Sequence, residues 1–144
     1  MANEYDEKVS KAWIDLHRAQ RKLLTMVESE LKEHGLPGLD WYDVLLELQR
    51  EKKNGLRQYE IGDKILLNKH NLSRLIDRLE KQKLLTRLSC TEDARGYRIK
   101  ISAEGEKMIK KMWPVYRRAI VENFGNKLNT NELGALAKIL GKII

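Results

Sequence analysis

Asn68-Lys-His-Asn-Leu-Ser-Arg-Leu-Ile-Asp-Arg-Leu-Glu-Lys-Gln82 places Leu72, Leu75, Ile76 and Leu79 at the three- and four-residue steps of a single helical face. The spacing predicts a helix over 68–82 whose other face carries Lys69, His70, Asn71, Ser73, Arg74 and Arg78, most of them in its first two turns. Base edges in a major groove are read by donors and acceptors, so polar side chains crowded at a helix start fit a duplex. Asn71 is matched to adenine and Arg74 to guanine, whereas Lys69 and Asn68, beside the free amides of a helix start, suit phosphate. The same residues also fit the solvated face of an ordinary basic helix, so the neighbouring segments decide between the two.

Upstream, Leu56 to Leu67 reads as a short helix with Ile61, Ile65 and Leu66 turned inward, joined by a tight break to the helix that follows. Two short helices so joined describe a helix-turn-helix. Downstream of Lys83 the period changes. Leu84 to Leu88 and Tyr97 to Ile101 are β-prone runs separated by the polar stretch Ser89 to Gly96, which predicts a hairpin with a long tip. A helix-turn-helix followed at once by a hairpin is a winged helix. Arg95 falls at the hairpin tip, where a narrow minor groove attracts an arginine. Asp93 is expected to orient Arg95 or Arg87 through a charge-assisted hydrogen bond rather than to touch phosphate itself.

Longer helices flank this lobe. From Tyr5 to His34 the residues Val9, Trp13, Leu16, Leu23, Val27 and Leu31 form an amphipathic stripe, stopped by Gly35 and Pro37. Asp40 is expected to cap a second helix bearing Trp41, Val44, Leu45 and Leu48, which ends at Asn54-Gly55. Ser102 caps a further helix that Pro114 should kink, and Asn129 with Glu132 forms a capping pair for the last one. The predicted fold is therefore mainly α with a small β-hairpin wing, an α+β class. One domain covers 1–144, with the winged lobe at about 40–102 and long terminal helices at about 5–34 and 103–144.

Apolar residues make up 42% and charged residues 34% of the 144, which suits a folded chain rather than a disordered one. No run approaches the roughly 18 apolar residues needed to cross a bilayer. The start MANEYDEKVSKAW has no basic-then-apolar signal pattern, so a cytoplasmic protein with no membrane contact is expected. One cysteine, Cys90, and three scattered histidines offer no disulfide and no zinc spacing, so neither metal nor cofactor is expected. No residues form a familiar catalytic arrangement, and His70 lies among polar groups that suit a DNA contact better than a general base; no enzyme is expected. The net charge of +7 divides as −4 over residues 1–49, +7 over 50–100 and +4 over 101–144, which puts the basic excess in and after the winged lobe.

The run Asn71-Leu-Ser-Arg-Leu-Ile-Asp-Arg-Leu-Glu80, then Leu84-Leu-Thr-Arg87, Asp93-Ala-Arg95 and Ile101-Ser-Ala-Glu-Gly105, resembles the MarR family of bacterial transcriptional regulators over almost the whole chain. The resemblance implies a homodimeric, sequence-specific double-stranded DNA-binding repressor. Its terminal dimerisation helices would interlock, and its two lobes would occupy half-sites of a pseudo-palindromic operator about 34 to 36 Å apart. The residues agree, because Leu136, Leu140, Ile143 and Ile144 would otherwise form an exposed apolar patch. The resemblance also implies release by a small phenolic or anionic ligand in a crevice to which Trp13, His17, Arg21, Trp41 and Tyr42 contribute. The chain departs from the pattern where Leu56-Arg57 lacks a hydroxyl cap, at Gly62, at Lys83 in place of a glycine terminator, and at Cys90 and Thr91 in the wing stem. Two other readings are a winged-helix module that docks an acidic protein and a redox-responsive regulator using Cys90.

Overall fold

The computed structural model describes residues 3–89 and 96–144, so Cys90, Thr91, Asp93 and Arg95 lie outside the described residues. Among the described residues, six α-helices and one hairpin follow in order: α1 (Glu4–Glu33), α2 (Leu39–Arg50), α3 (Gln58–Lys64), α4 (Leu72–Lys81), β1 (Leu85–Ser89), β2 (Tyr97–Ile101), α5 (Ala103–Asn123) and α6 (Thr130–Leu140). A 3-10 turn, Gly125–Lys127, lies between the last two helices. The mainly helical fold with a β-hairpin wing is the one expected. The chain forms two compact units, one made of the segment ending at His34 together with Val115–Ile144, the other of Gly35–Pro114. The division falls inside α5, which continues helically past Pro114.

In the first unit, α1 begins on Asn3, whose side chain accepts from the Asp6 amide at 2.9 Å, a local cap for one of the helix's free donors. Gly35 has φ +67°, the left-handed conformation expected of a terminator. His34 accepts or donates at both ring nitrogens, 2.9 Å from the Glu30 carbonyl and 2.9 Å from the Arg118 guanidinium on α5. Because Arg118 only donates, Nε2 accepts and Nδ1 carries the proton to Glu30. The α6 cap is the reciprocal pair expected: Asn129 Oδ1 accepts from the Glu132 amide at 2.8 Å, and Glu132 accepts from the Asn129 amide at 3.0 Å. No residue of α6 is buried, and Ile139, Ile143 and Ile144 are exposed, as are Tyr5, Val9, Trp13, Ile14 and Leu16 on α1.

The second unit holds the winged lobe. Leu72, Leu75, Ile76 and Leu79 of α4 are all buried, together with Leu45 and Leu48 of α2, Ile61 of α3, and Leu85, Ile99 and Ile101 of the hairpin. Each fully buried aliphatic side chain is worth about 1.5–3 kcal/mol, so the α4 stripe is what anchors that helix to the lobe. β1 and β2 are antiparallel, with Leu85 opposite Ile101 and Arg87 opposite Ile99. Leu56 adds a third pairing on the far side of β2, exchanging two backbone hydrogen bonds with Ile99 at 2.9 and 2.8 Å. A Cβ on Gly55 would stand 2.7 Å from the Ile99 carbonyl oxygen, and its φ of +73° is also one that glycine adopts without strain.

Several local expectations are corrected. α2 starts at Leu39 on Gly38, one residue early, and Asp40 accepts from the next amide, Trp41, instead of capping. α3 is shorter than 56–67; Ile61 is buried, but Ile65 is only half-buried and Leu66 is 79% exposed. In place of the missing hydroxyl cap, Glu60 reaches back to accept from the Arg57 amide at 2.9 Å. The helix predicted over 68–82 begins only at Leu72, because Asn68 Oδ1 accepts from the His70 amide and Asn71 takes φ +63°, so residues 68–71 form a turn.

The α4 terminus explains the unusual lysine. Lys83 donates to the Glu80 carbonyl at 2.9 Å and Leu84 to the Leu79 carbonyl at 3.0 Å, with Leu79 and Leu84 both buried: a Schellman closure with Lys83 left-handed at φ +63°. A side chain in that conformation costs about 1–2 kcal/mol, partly offset by the greater chain entropy of glycine in the unfolded state. Lys83→Gly is expected to stabilise the protein by about 0.5–1 kcal/mol, read as a higher urea midpoint at unchanged slope. A lower midpoint would mean that Lys83 is not held left-handed.

Candidate nucleic-acid interface

The turn 68–71 and α4 carry the polar residues singled out in the sequence, but in two groups. Lys69, His70 and Asn71 lie in the turn ahead of the helix, while Ser73, Arg74 and Arg78 are on the helix itself. All six are exposed. The side chains of Lys69, Arg74 and Arg78 form no ion pair with any described residue. The turn is held from beneath by a residue that sequence reasoning missed. Asp43, buried on α2, accepts from the Leu66 amide at 2.9 Å and the Leu67 amide at 2.8 Å, which fixes the backbone just before Asn68. The only sequence signal for this role is an acidic residue between the buried positions Tyr42 and Val44, where an apolar residue would be ordinary.

Arg87 has a different use. Its guanidinium meets Asp77 at 2.6 Å and Glu80 at 2.8 Å, tying β1 to the solvent-facing side of α4. The Asp77 hydrogen bond first, and then the Glu80 and Asp77 charges, hold the guanidinium above its ordinary pKa against an opposing effect of burial. Arg87 therefore takes an orientation from α4, and the contact expected from Asp93 lies outside the described residues. The two ion pairs join β1 to α4.

Two shallow clefts continue the exposed surface. One, about 540 Å³, is lined by Gln58, Tyr59, Lys69, Asn71 and Ser73, among others; the other, about 330 Å³, joins Tyr59 to Arg87, Gly96 and Tyr97. Gln58 and Tyr59 escaped the sequence reading because α3 was expected to start at Leu56; with its start at Gln58 they fall in its first turn, exposed beside Lys69. The base of the wing is closed by Ser102 and Gly105. Ser102 Oγ donates to the Lys83 carbonyl at 2.6 Å and accepts from the Gly105 amide at 3.0 Å, so the expected cap also pins the α4 terminus to α5.

A profile described as the MarR family matches residues 34–96. The HTH-type transcriptional regulator MhqR of Bacillus subtilis strain 168 is 31% identical over 116 residues, which are 81% of this chain and 78% of that protein. This chain belongs to the MarR family. Among solved structures, Sco3205, a MarR family transcriptional regulator from Streptomyces coelicolor in complex with DNA, superimposes with a TM-score of 0.82 at 20% identity, covering 99% of this chain and 88% of that one. BpsR of Bordetella bronchiseptica, whose DNA binding is regulated by 6-hydroxynicotinic acid, does so with a TM-score of 0.79 at 20% identity, covering 92% and 98%. At these identities the two structures establish the MarR fold. MarR proteins are transcriptional regulators, and the profile match spans α2, α3, α4 and β1 and stops just before β2. No helix among the described residues is long and apolar enough to cross a membrane.

The residues expected to serve a ligand fall in separate units. Trp13 and His17 meet on α1 with ring centroids 4.4 Å apart, and the His17 ring nitrogen lies 2.8 Å from the Trp13 carbonyl; both residues and Arg21 are exposed. In the lobe, Trp41 is half-buried, and Tyr42 is buried and stacked on Trp113 at 6.2 Å. Burial pushes the Tyr42 phenol above its ordinary pKa, against the lowering charge of Arg50.

Proposed function

We propose that this MarR-family regulator is a cytoplasmic homodimeric repressor that binds a pseudo-palindromic duplex site in a sequence-specific manner, acts by binding rather than turnover, and is released by a small phenolic or anionic ligand. The observation that carries the DNA reading is the contrast among three neighbouring arginines. Arg87 is consumed by Asp77 and Glu80, whereas Arg74 and Arg78 stand exposed on α4 without an ion pair to any described residue. Asn71, Ser73 and Arg74 read bases, His70 and Arg78 extend the contact, Lys69 holds phosphate, and Arg95 with Asp93 serves the minor groove. The dimer is supported by the exposed apolar residues of α1 and α6, which a partner copy would cover. The ligand reading rests on Trp13, His17, Arg21, Trp41 and Tyr42 and on the regulated binding of BpsR.

Selection of bound duplexes from a random pool, followed by gel shifts on the selected site, tests this function. Arg74→Ala is expected to cost about 1–3 kcal/mol on the selected site and to relax its sequence preference. Lys69→Ala should instead weaken all duplexes alike and lower the salt slope by about one. Equal affinity of wild type and Arg74→Ala for the selected site would remove α4 from the reading surface.

A further inference from the structure

The hairpin has two faces, and only one belongs to the surface described above. Along β1 and β2, Arg87, Tyr97 and Ile99 point to the side facing α4 and the core, while Leu88 and its neighbour Arg98, with Lys100, line the other side. There a polar groove of about 630 Å³ runs between the hairpin and the α2–α3 connection. Lys53, Arg57, Lys64, Arg98 and Lys100 line it against two carboxylates, Glu51 and Glu60. Those two are engaged: Glu51 faces Lys64 at 3.9 Å and Glu60 accepts from the Arg57 amide. Lys53, Arg98 and Lys100 form no ion pair with any described residue. The groove also depends on Gly55, since a Cβ there would stand 2.9 Å from Lys100 Cγ and displace that side chain.

We propose that this groove is a second DNA-binding surface, which holds the phosphates of duplex flanking the site read by α4. The inference rests on the DNA-binding function proposed above. A groove with five cationic residues against two carboxylates is attractive to any polyanion, and two considerations favour DNA over an acidic protein. The groove is backed by β1 and β2, the hairpin that Arg87 ties to α4, so it belongs to the same lobe as the surface assigned to the duplex. It is also polar throughout apart from Leu56 and Leu88, and lacks the buried apolar or aromatic anchor around which protein interfaces are built. Phosphate contacts need cations alone.

The test compares two duplexes carrying the selected site: one of about 20 base pairs and one extended by about 10 base pairs, a helical turn, on each side. Wild-type protein is expected to bind the longer duplex about tenfold more tightly at low salt, with a steeper salt dependence, because the added contacts release further counterions. The combined variant Lys53→Gln, Arg98→Gln, Lys100→Gln should lose that advantage and keep its affinity for the short duplex. The variant Lys100→Arg should retain the advantage, and urea denaturation should confirm that each variant is folded. Equal affinity of wild type for the two lengths, or a length advantage that survives the triple substitution, overturns the proposal while leaving the α4 surface intact. The first of these results would return the groove to an acidic protein partner. Failure to bind even the short duplex would overturn both this proposal and the function on which it rests.

Discussion

Gly105→Ala is expected to destabilise the protein by about 3 kcal/mol, which for a chain of this size lowers the thermal midpoint by roughly 10 °C. A Cβ at position 105 would stand 2.2 Å from the Leu84 carbonyl oxygen and 2.7 Å from Ile101 Cγ1. The first contact cannot be relieved by a side-chain rotation, because it is with backbone. That backbone is committed as well, since the Leu84 carbonyl accepts from the Ser102 amide at 3.0 Å and the Leu84 amide closes α4. The whole join between α4, the hairpin and α5 must therefore move to admit one methyl group. Denaturation followed by circular dichroism measures the effect. A change of less than about 0.5 kcal/mol would mean that the close approach at Leu84 relaxes freely.

Asp43→Ala is expected to cost about 3 kcal/mol or more and to lower DNA affinity even where the variant is fully folded. Hydrogen bonds to a charged acceptor contribute about 1.5–3 kcal/mol each, and here one carboxylate serves both the Leu66 and the Leu67 amide. Residues 65–71 have few other anchors, since Leu66 is exposed and Ile65 and Leu67 are only half-buried. Without Asp43 the turn that bears Lys69, His70 and Asn71 loses its fixed starting point, and ordering it falls to the DNA, which weakens binding. Asp43→Asn keeps one acceptor and should lie between wild type and alanine. Hydrogen exchange supplies the direct readout. The Leu66 and Leu67 amides should lose protection in Asp43→Ala while those of Leu75 and Leu79 within α4 keep theirs. Unchanged protection at 66 and 67 would sink this account of the turn.

The architecture and the exposed polar residues around α4 were legible because helix periodicity, caps and turn signals act over about four residues. The α4 stripe from Leu72 to Leu79, the Asn129 and Ser102 caps and the left-handed Gly35 were each read within such a window and stand as read, and the first β-run of the hairpin is shifted by one residue, to Leu85–Ser89. Where those readings erred, the competing interaction was also short in range but had more than one outcome. Asn68 could open a helix or close a turn on the His70 amide, and it closes the turn, so Lys69, His70 and Asn71 precede α4 instead of sitting on it.

What periodicity and capping cannot reveal is which distant groups meet. Asp43 and Leu66 are 23 positions apart, Arg87 and Asp77 are 10 apart, and Ser102 finds the Lys83 carbonyl 19 positions back. Each pair lies beyond the reach of a local pattern, and each fixes part of the lobe that carries α4. The sequence by itself determined that there would be a winged helix with an amphipathic α4 and exposed basic residues, since that follows from spacing alone. Only the tertiary structure decided that Arg87 is a strut and Arg74 remains available, and that the turn before α4 hangs from a buried carboxylate. An arginine's use is set by whether a carboxylate stands within hydrogen-bond reach in space, and the chain's order does not state that distance.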